Sequence, residues 1–359
     1  MKLKKFLAAI VMVLYLVGLY FILDYMSGNA IFIMLAMLAS IPFMVAAHEL
    51  GHLIFGLLTG YKFVSYRIFS LTLVKEKGKL KFRKMSVPGT AGQCLMAPPR
   101  KKDGKYPYVL YNLGGVLFCG VLSLIPLTLG LFAPIPEPFA MMLYIFGFVS
   151  FFMNLINAIP TNGKGMANDG TNIRMAKRSP VAKAALWNQL EYISLHSQGI
   201  ADADMPDELF FMPEKKELNN ALTVWQGIAA VEKSMDMGNY AQAKDEVYYL
   251  LNEASVLMPP HKNVLQLEAI FLELATGGDA DEIDRLYESV KKRISSLANS
   301  ISTHRTLYAY YKLYKKDEAA AEKALQTFEK KAKKYPYTAD VKFERKQIAH
   351  IDAIAQRNL

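Results

Sequence analysis

The segment His48-Glu49-Leu50-Gly51-His52 holds two imidazoles four residues apart, with a carboxylate next to the first. Residues four apart share one face of a helix, so both rings can reach a single Zn(II) ion. Glu49 lies one step around, where it can take a proton from a water activated at the metal while the metal polarises a peptide carbonyl. The pattern points to hydrolysis with one zinc ion per chain, His48 and His52 as ligands and Glu49 as catalytic base. The plainer alternative is three polar side chains that hydrogen-bond to neighbouring helices. Their surroundings argue for chemistry: the stretch is otherwise apolar, and they stand roughly 12 Å from its end near Gly60 at about 1.5 Å per residue. Ionisable groups at membrane depth are costly and usually functional.

A catalytic zinc site takes three protein ligands and leaves a position open for water. The first 173 residues hold only six acids, Asp24, Glu49, Glu76, Asp103, Glu137 and Asp169, so the choices for a third ligand are few. Asp24 and Glu137 fall on the far side of the membrane from the histidines, and Glu76 and Asp103 belong to a basic loop. Asp169 remains, just past the last apolar stretch. It follows Asn154-Leu155-Ile156-Asn157-Ala158-Ile159-Pro160 and Thr161-Asn162-Gly163-Lys164-Gly165-Met166, which reads as a broken helix end lining a watery cavity. By itself the same segment is a glycine-rich turn with Asn168-Asp169-Gly170 at its tip. A downstream glutamate such as Glu191 is a further choice of ligand. His196, His261, His304 and His350 are dispersed through the charged half and read as surface or packing residues.

The elements that must carry these residues follow from hydropathy and charge. Mean hydropathy is +0.14, but the average hides two unlike halves, since 26 of the 32 acids lie beyond residue 173. Four uncharged apolar stretches, Phe6 to Leu23, Ala30 to Ala47, Tyr106 to Phe132 and Phe139 to Pro160, are each long enough for a bilayer, which takes roughly 20 apolar residues per helix. Twelve Lys and Arg between Lys62 and Lys105, with Lys2, Lys4 and Lys5, place that loop and the N-terminus inside. Four spans then put both termini in the cytoplasm, and the expected location is a bacterial cell membrane. Residues 1 to 29 also fit a cleaved signal peptide, although their apolar run exceeds the usual 7 to 15 residues.

The net charge of +10 clusters beside the spans in the first half, where orientation and anionic lipid account for it. Nucleic acid is therefore not an expected partner. Cys94 and Cys119 have no plausible pairing and read as free thiols.

Between the second and third spans, residues 61 to 95 alternate apolar and polar side chains, with Lys77-Gly78 as a turn and Pro88-Gly89 as a break. That periodicity predicts a small sheet at the cytoplasmic face. From residue 174 the chain turns charged and helical in period, starting at Ser179-Pro180, a cap followed by proline at the first helical position. A helical linker over 174–213 and paired helices over 214–359 are expected, with connections near Gly238-Asn239, Pro259-Pro260, Gly277-Gly278 and Lys316-Asp317. Spacings of 40 and 39 residues match stacked helical hairpins. Tyr248, Tyr249, Tyr308, Tyr310, Tyr311 and Tyr314 read as packing between them. The whole is a mainly α polytopic membrane protein with a soluble helical repeat domain.

H-E-L-G-H in one span, then N-x-x-P and D-G at the end of a later one, resembles the site-2 protease family of intramembrane metalloproteases. The resemblance covers about residues 29 to 173. It implies zinc held by His48, His52 and Asp169, catalysis by Glu49, substrate positioning by Asn157, and a β-segment near the substrate path. Asn157 and Asp169 stand a few residues further apart than is usual, and the family's G-P-x-x-N element appears only as Leu113-Gly114-Gly115-Val116. Gly238-Asn239-Tyr240-Ala241-Gln242-Ala243-Lys244 and Tyr335-Pro336 resemble tetratricopeptide repeats. No PDZ-like segment lies between the spans, which leaves substrate or partner selection to the C-terminal helices. The expected function is cleavage of a membrane protein or peptide precursor in or near its span. The alternative, of a different class, is a membrane scaffold that recruits a partner through its repeats and carries a vestigial metal motif.

Overall fold

Every backbone group in hydrocarbon must find its partner within its own segment, and the apolar stretches are accordingly helical. The structure, a computed structural model, describes residues 2–76, 78–84, 90–161, 167–335 and 337–357; for 2–12, 19, 21–23, 25–29, 76 and 260 it describes the backbone alone. Lys77, Pro88-Gly89 and Asn162 to Met166, expected as turn, break and broken helix end, lie outside the described residues, as does Pro336 of the repeat-like Tyr335-Pro336.

Helix α1 spans Lys2–Leu58, α2 spans Tyr108–Phe132 and α3 spans Glu137–Ala158. Three helices among the described residues are long and apolar enough to cross a membrane, over Ala30–Leu58, Tyr108–Phe132 and Glu137–Ala158. This corrects the expected four. The stretches Phe6 to Leu23 and Ala30 to Ala47 belong to one continuous helix with no turn at residues 24–29. Nothing there compels one: Gly28 costs about 1 kcal/mol in a helix, and the first proline, Pro42, is carried inside α1. The three helices pack together around Ile33, Ala36, Tyr144, Ile145 and Phe148. Where α1 crosses α2 the backbones nearly touch, because a Cβ on Gly51 would stand 2.4 Å from the Gly114 carbonyl oxygen.

The alternating segment forms a four-stranded antiparallel sheet, β1 (Lys62–Ile68), β2 (Leu71–Glu76), β3 (Lys79–Lys84) and β4 (Gly92–Ala97), in the order β3-β2-β1-β4. Gly78 takes the left-handed conformation (φ +81) between β2 and β3, which glycine adopts without steric cost. β4 is the strand next to the membrane helices. Tyr66 on β1 donates to the Ala46 carbonyl on α1 (2.7 Å), and Tyr111 on α2 donates to the Cys94 carbonyl on β4 (2.8 Å). Cys94 and Cys119 are both free and buried.

After the spans come α4 (Asp169–Ala176), α5 (Pro180–Ser197), α6 (Ala221–Asp236), α7 (Tyr240–Glu253), α8 (Pro259–Ala275), α9 (Ala280–Lys291), α10 (Ile294–Leu297), α11 (Ile301–Ala309), α12 (Glu318–Ala332) and α13 (Thr338–Arg357). Ser179 caps α5 by accepting from the Ala182 N–H (3.1 Å), with Pro180 in the first turn. Consecutive helices from α6 to α9 pack on one another around Val224, Leu250, Leu265, Phe271 and Leu286. Tyr308 and Tyr310 are buried in that core, and Tyr249, Tyr311 and Tyr314 pack against it. At its centre the fully buried Arg305 of α11 bonds both oxygens of Glu268 on α8 (2.6 and 2.8 Å) and one of Glu344 on α13 (2.8 Å). A second core joins Tyr61, Met96 and Tyr111 to Ile173, Leu186 and Leu222, so α4, α5 and α6 are docked on the sheet and the membrane helices. The Trp187 indole N–H, donating to the Pro99 carbonyl (2.9 Å), fastens α5 there.

Candidate metal centre

His48 and His52 sit one helical turn apart on the face of α1 turned to α2, α3 and α4. Both are 7% exposed, as is Glu49, so this triplet is enclosed although it lies in an apolar helix. Each ring is held from behind. His48 Nδ1 donates to the Asn154 side-chain carbonyl on α3 (2.9 Å), and the Asn154 amide donates to the Val116 carbonyl on α2 (2.8 Å). His52 Nδ1 donates to the Tyr111 carbonyl (2.8 Å). With Nδ1 engaged in this way, the neutral imidazole leaves Nε2 as a bare acceptor, the second-shell arrangement typical of metal-binding histidines.

Asp169 is brought to the same point by the start of α4. Asn168 is the N-cap, its side-chain oxygen accepting from the Thr171 N–H (2.9 Å) while its amide donates to the Ile156 and Ile159 carbonyls (3.1 and 2.9 Å). Asn168-Asp169-Gly170, expected at the tip of a glycine-rich turn, thus opens a helix tied to the end of α3. Its first-turn carboxylate also benefits from the positive end of the helix dipole.

The three groups converge. His48 Nε2 is 3.1 Å from His52 Nε2 and 2.9 Å from Asp169 Oδ2, and His52 Nε2 is 3.4 Å from Asp169 Oδ1. Asp169 Oδ2 is buried and receives no hydrogen bond despite that 2.9 Å approach. Two imidazole nitrogens and a carboxylate therefore face one another with too few protons to join them, a repulsive arrangement that a cation resolves. Tetrahedral ligation at about 2.0–2.1 Å sets ligand atoms roughly 3.3 Å apart, close to the separations seen here. The donor set fits a divalent metal that accepts nitrogen and oxygen. Among the described residues this is the one group of three or more His, Cys, Asp or Glu side chains able to hold an ion. Glu191 is not part of it, nor are the other four histidines.

Two residues matter here that the sequence reading assigned otherwise or passed over. Gly115, read with Gly114 and Gly120 as a packing residue, faces the ligands: a Cβ there would stand 2.7 Å from both His48 Nε2 and His52 Nε2. Asn154 carries the hydrogen bond to His48, whereas Asn157, three residues on, lines the cavity in front of the ligands. That cavity is about 530 Å³ and is bounded by α1, the start of β4, α4, α5 and the first turns of α6 and α8. Glu49 opens into it beside β4, whose Cys94 N–H faces the Glu49 carboxylate. Comparison with family models, with curated proteins and with solved structures finds no match for this chain.

Proposed function

We propose that this protein is a membrane-embedded zinc endopeptidase of the site-2 protease type, cleaving a membrane protein or peptide precursor in or near its span. The observation that carries the reading is the convergence of His48 Nε2, His52 Nε2 and Asp169 on one point beside Glu49, within an apolar helix. His48, His52 and Asp169 would hold one zinc ion, which when bound supplies Lewis-acid polarisation of the scissile carbonyl and of water.

Glu49 is the group placed to move protons, taking one from the attacking water and delivering it to the leaving nitrogen. Asn154 and the Tyr111 carbonyl orient the two imidazoles. Asn157 lines the chamber in which the peptide is held. α5, α6 and α8 line the chamber on the side away from the spans. With the Lys- and Arg-rich sheet facing the cytoplasm, that side is cytoplasmic too.

The test is a comparison of membrane proteomes from cells carrying the wild-type chain and Glu49→Gln. The expected result is a small set of membrane proteins that accumulate uncut with Glu49→Gln, a loss of general-base catalysis worth roughly 10²–10⁴-fold in rate. Identical cleavage patterns in both would refute catalysis by Glu49 and favour the scaffold.

A further inference from the structure

A second cavity, about 310 Å³, adjoins the one in front of Glu49. Ile193 of α5 lines both, and on α8 His261 lines the first while Val264, one turn further on, lines the second. The walls of this second cavity carry five carboxylates, Asp202, Glu232, Glu268, Asp340 and Glu344, together with the rings of Tyr192, Trp225, Tyr335, Tyr337 and Phe343. Positive charge is scarce beside them. Arg305 serves Glu268 and Glu344 (2.6 and 2.8 Å), and His196 serves Asp202 and Asp340, which keep it charged against the effect of burial. Glu232 has only the Tyr192 hydroxyl, which donates to its Oε2 (2.9 Å). Among the described residues no Lys or Arg lines the cavity. When all are ionised, five carboxylates against two cations leave an excess of three negative charges, and charge held away from water needs a partner.

Two of the carboxylate oxygens are turned to a guest. Glu344 is only 5% exposed, and while its Oε2 accepts from Arg305, its Oε1 receives no hydrogen bond and stays open to the cavity. Glu232 Oε1 is likewise open and without a donor. Burial raises both carboxyl groups, and neighbouring Asp202 and Glu268 add to the rise, so their ionised forms lack a counter-charge. The aromatic rings complete the surroundings of an organic cation, since ring faces attract the charged head and pack against an alkyl stem. A metal ion is the poorer guest, because among the described residues these acids do not converge on one point.

We infer that this second cavity is a specificity site that binds the ammonium or guanidinium group of a Lys or Arg side chain in the peptide held before Glu49. The preference for an organic cation rests on the cavity itself, whereas the peptide as its source rests on the metalloprotease reading. Membrane spans carry Lys and Arg on their cytoplasmic flanks. A substrate cut in or near its span therefore brings such side chains to the side on which α5 and α8 lie.

The experiment titrates the full-length chain in detergent, by calorimetry, with n-butylguanidinium and with n-butylurea, a neutral analogue of the same shape. Wild type is expected to bind the guanidinium roughly 10-fold more tightly than the urea, and Glu232→Gln should lose most of that preference. Trp225→Leu, which removes a ring and no charge, should weaken the guanidinium roughly 5-fold. Equal binding of the two probes by wild type, or a guanidinium affinity unchanged in both variants, would overturn the cation site. A second arm loads the chain with zinc and uses peptide hydroxamates that anchor on the metal and carry one Arg, or citrulline in its place, at successive distances from it. At one of those positions Arg should bind roughly 10-fold more tightly than citrulline in wild type and no more tightly in Glu232→Gln. Preference for butylguanidinium with no preference for Arg at any position would overturn the peptide as the source, assign the cavity to a free amine or guanidine, and leave the metalloprotease reading intact. A chain that holds no zinc, or binds none of the hydroxamates, would bring down the metalloprotease reading and the peptide source with it, and the cation site would then stand or fall on butylguanidinium alone.

Discussion

Asn154 and Gly115 shape the candidate metal site as much as His48, His52 and Asp169 do. Asn154→Ala removes the acceptor that sets the His48 ring, and zinc affinity is expected to fall roughly 10–100-fold, the usual cost of losing a second-shell partner, when titrated against a competing chelator. Gly115→Ala places a methyl group 2.7 Å from both ligand nitrogens, and it should lower zinc affinity at least as much while circular dichroism shows the helices retained. The two histidines and Glu49 were legible because a period of four residues on a helix is written directly in the chain. Asp169 was legible because the membrane half has so few acids. Gly115 was not, since a glycine in a span reads as helix packing and only the position of its neighbours turns it into room for a ligand. Asn154 and Asn157 share one helix face within the same turn, and sequence has no means of telling which of them meets His48.

The elements follow local pattern wherever the pattern is strong. The alternation in Phe63-Val64-Ser65-Tyr66-Arg67-Ile68 is β1, and breaks fall at Gly238-Asn239, Gly277-Gly278 and Lys316-Asp317. The fusion of two expected spans into α1 was illegible because Ser27-Gly28-Asn29 is a weak turn signal that a helix tolerates. Buried polar ties between helices were also hidden, since each depends on residues far apart in the chain. His196 on α5 contacts both Asp202 and Asp340 of α13. Burial alone would lower it, but the two carboxylates outweigh that and raise it from 6.5 to about 10. A raised folded-state value means that this tie is fully present below pH 6.5 and is lost as pH climbs through about 10. Thermal unfolding of wild type should therefore move to lower temperature across that window by more than unfolding of His196→Gln does. Arg305→Ala leaves Glu268 and Glu344 buried without their cation, and chemical unfolding should show a loss of about 3–5 kcal/mol.

At the scale of the molecule, α4, α5 and the starts of α6 and α8 wall the cavity in front of Glu49. The sequence marks 174–213 as a connector, yet α5 packs on β4 and walls the chamber with α6 and α8. Docking of this kind rests on apolar side chains such as Leu186 and Leu222, which look like any other helix core in a linear reading. The proposed chemistry depends on one zinc ion bound by His48, His52 and Asp169. Zinc K-edge absorption on the purified full-length chain tests it directly. The expected result is one zinc per chain with nitrogen and oxygen neighbours at about 2.0–2.1 Å, kept in Glu49→Gln and lost in His48→Ala and Asp169→Ala. A wild-type chain without zinc, or a zinc signal indifferent to removal of His48 and Asp169, would contradict it.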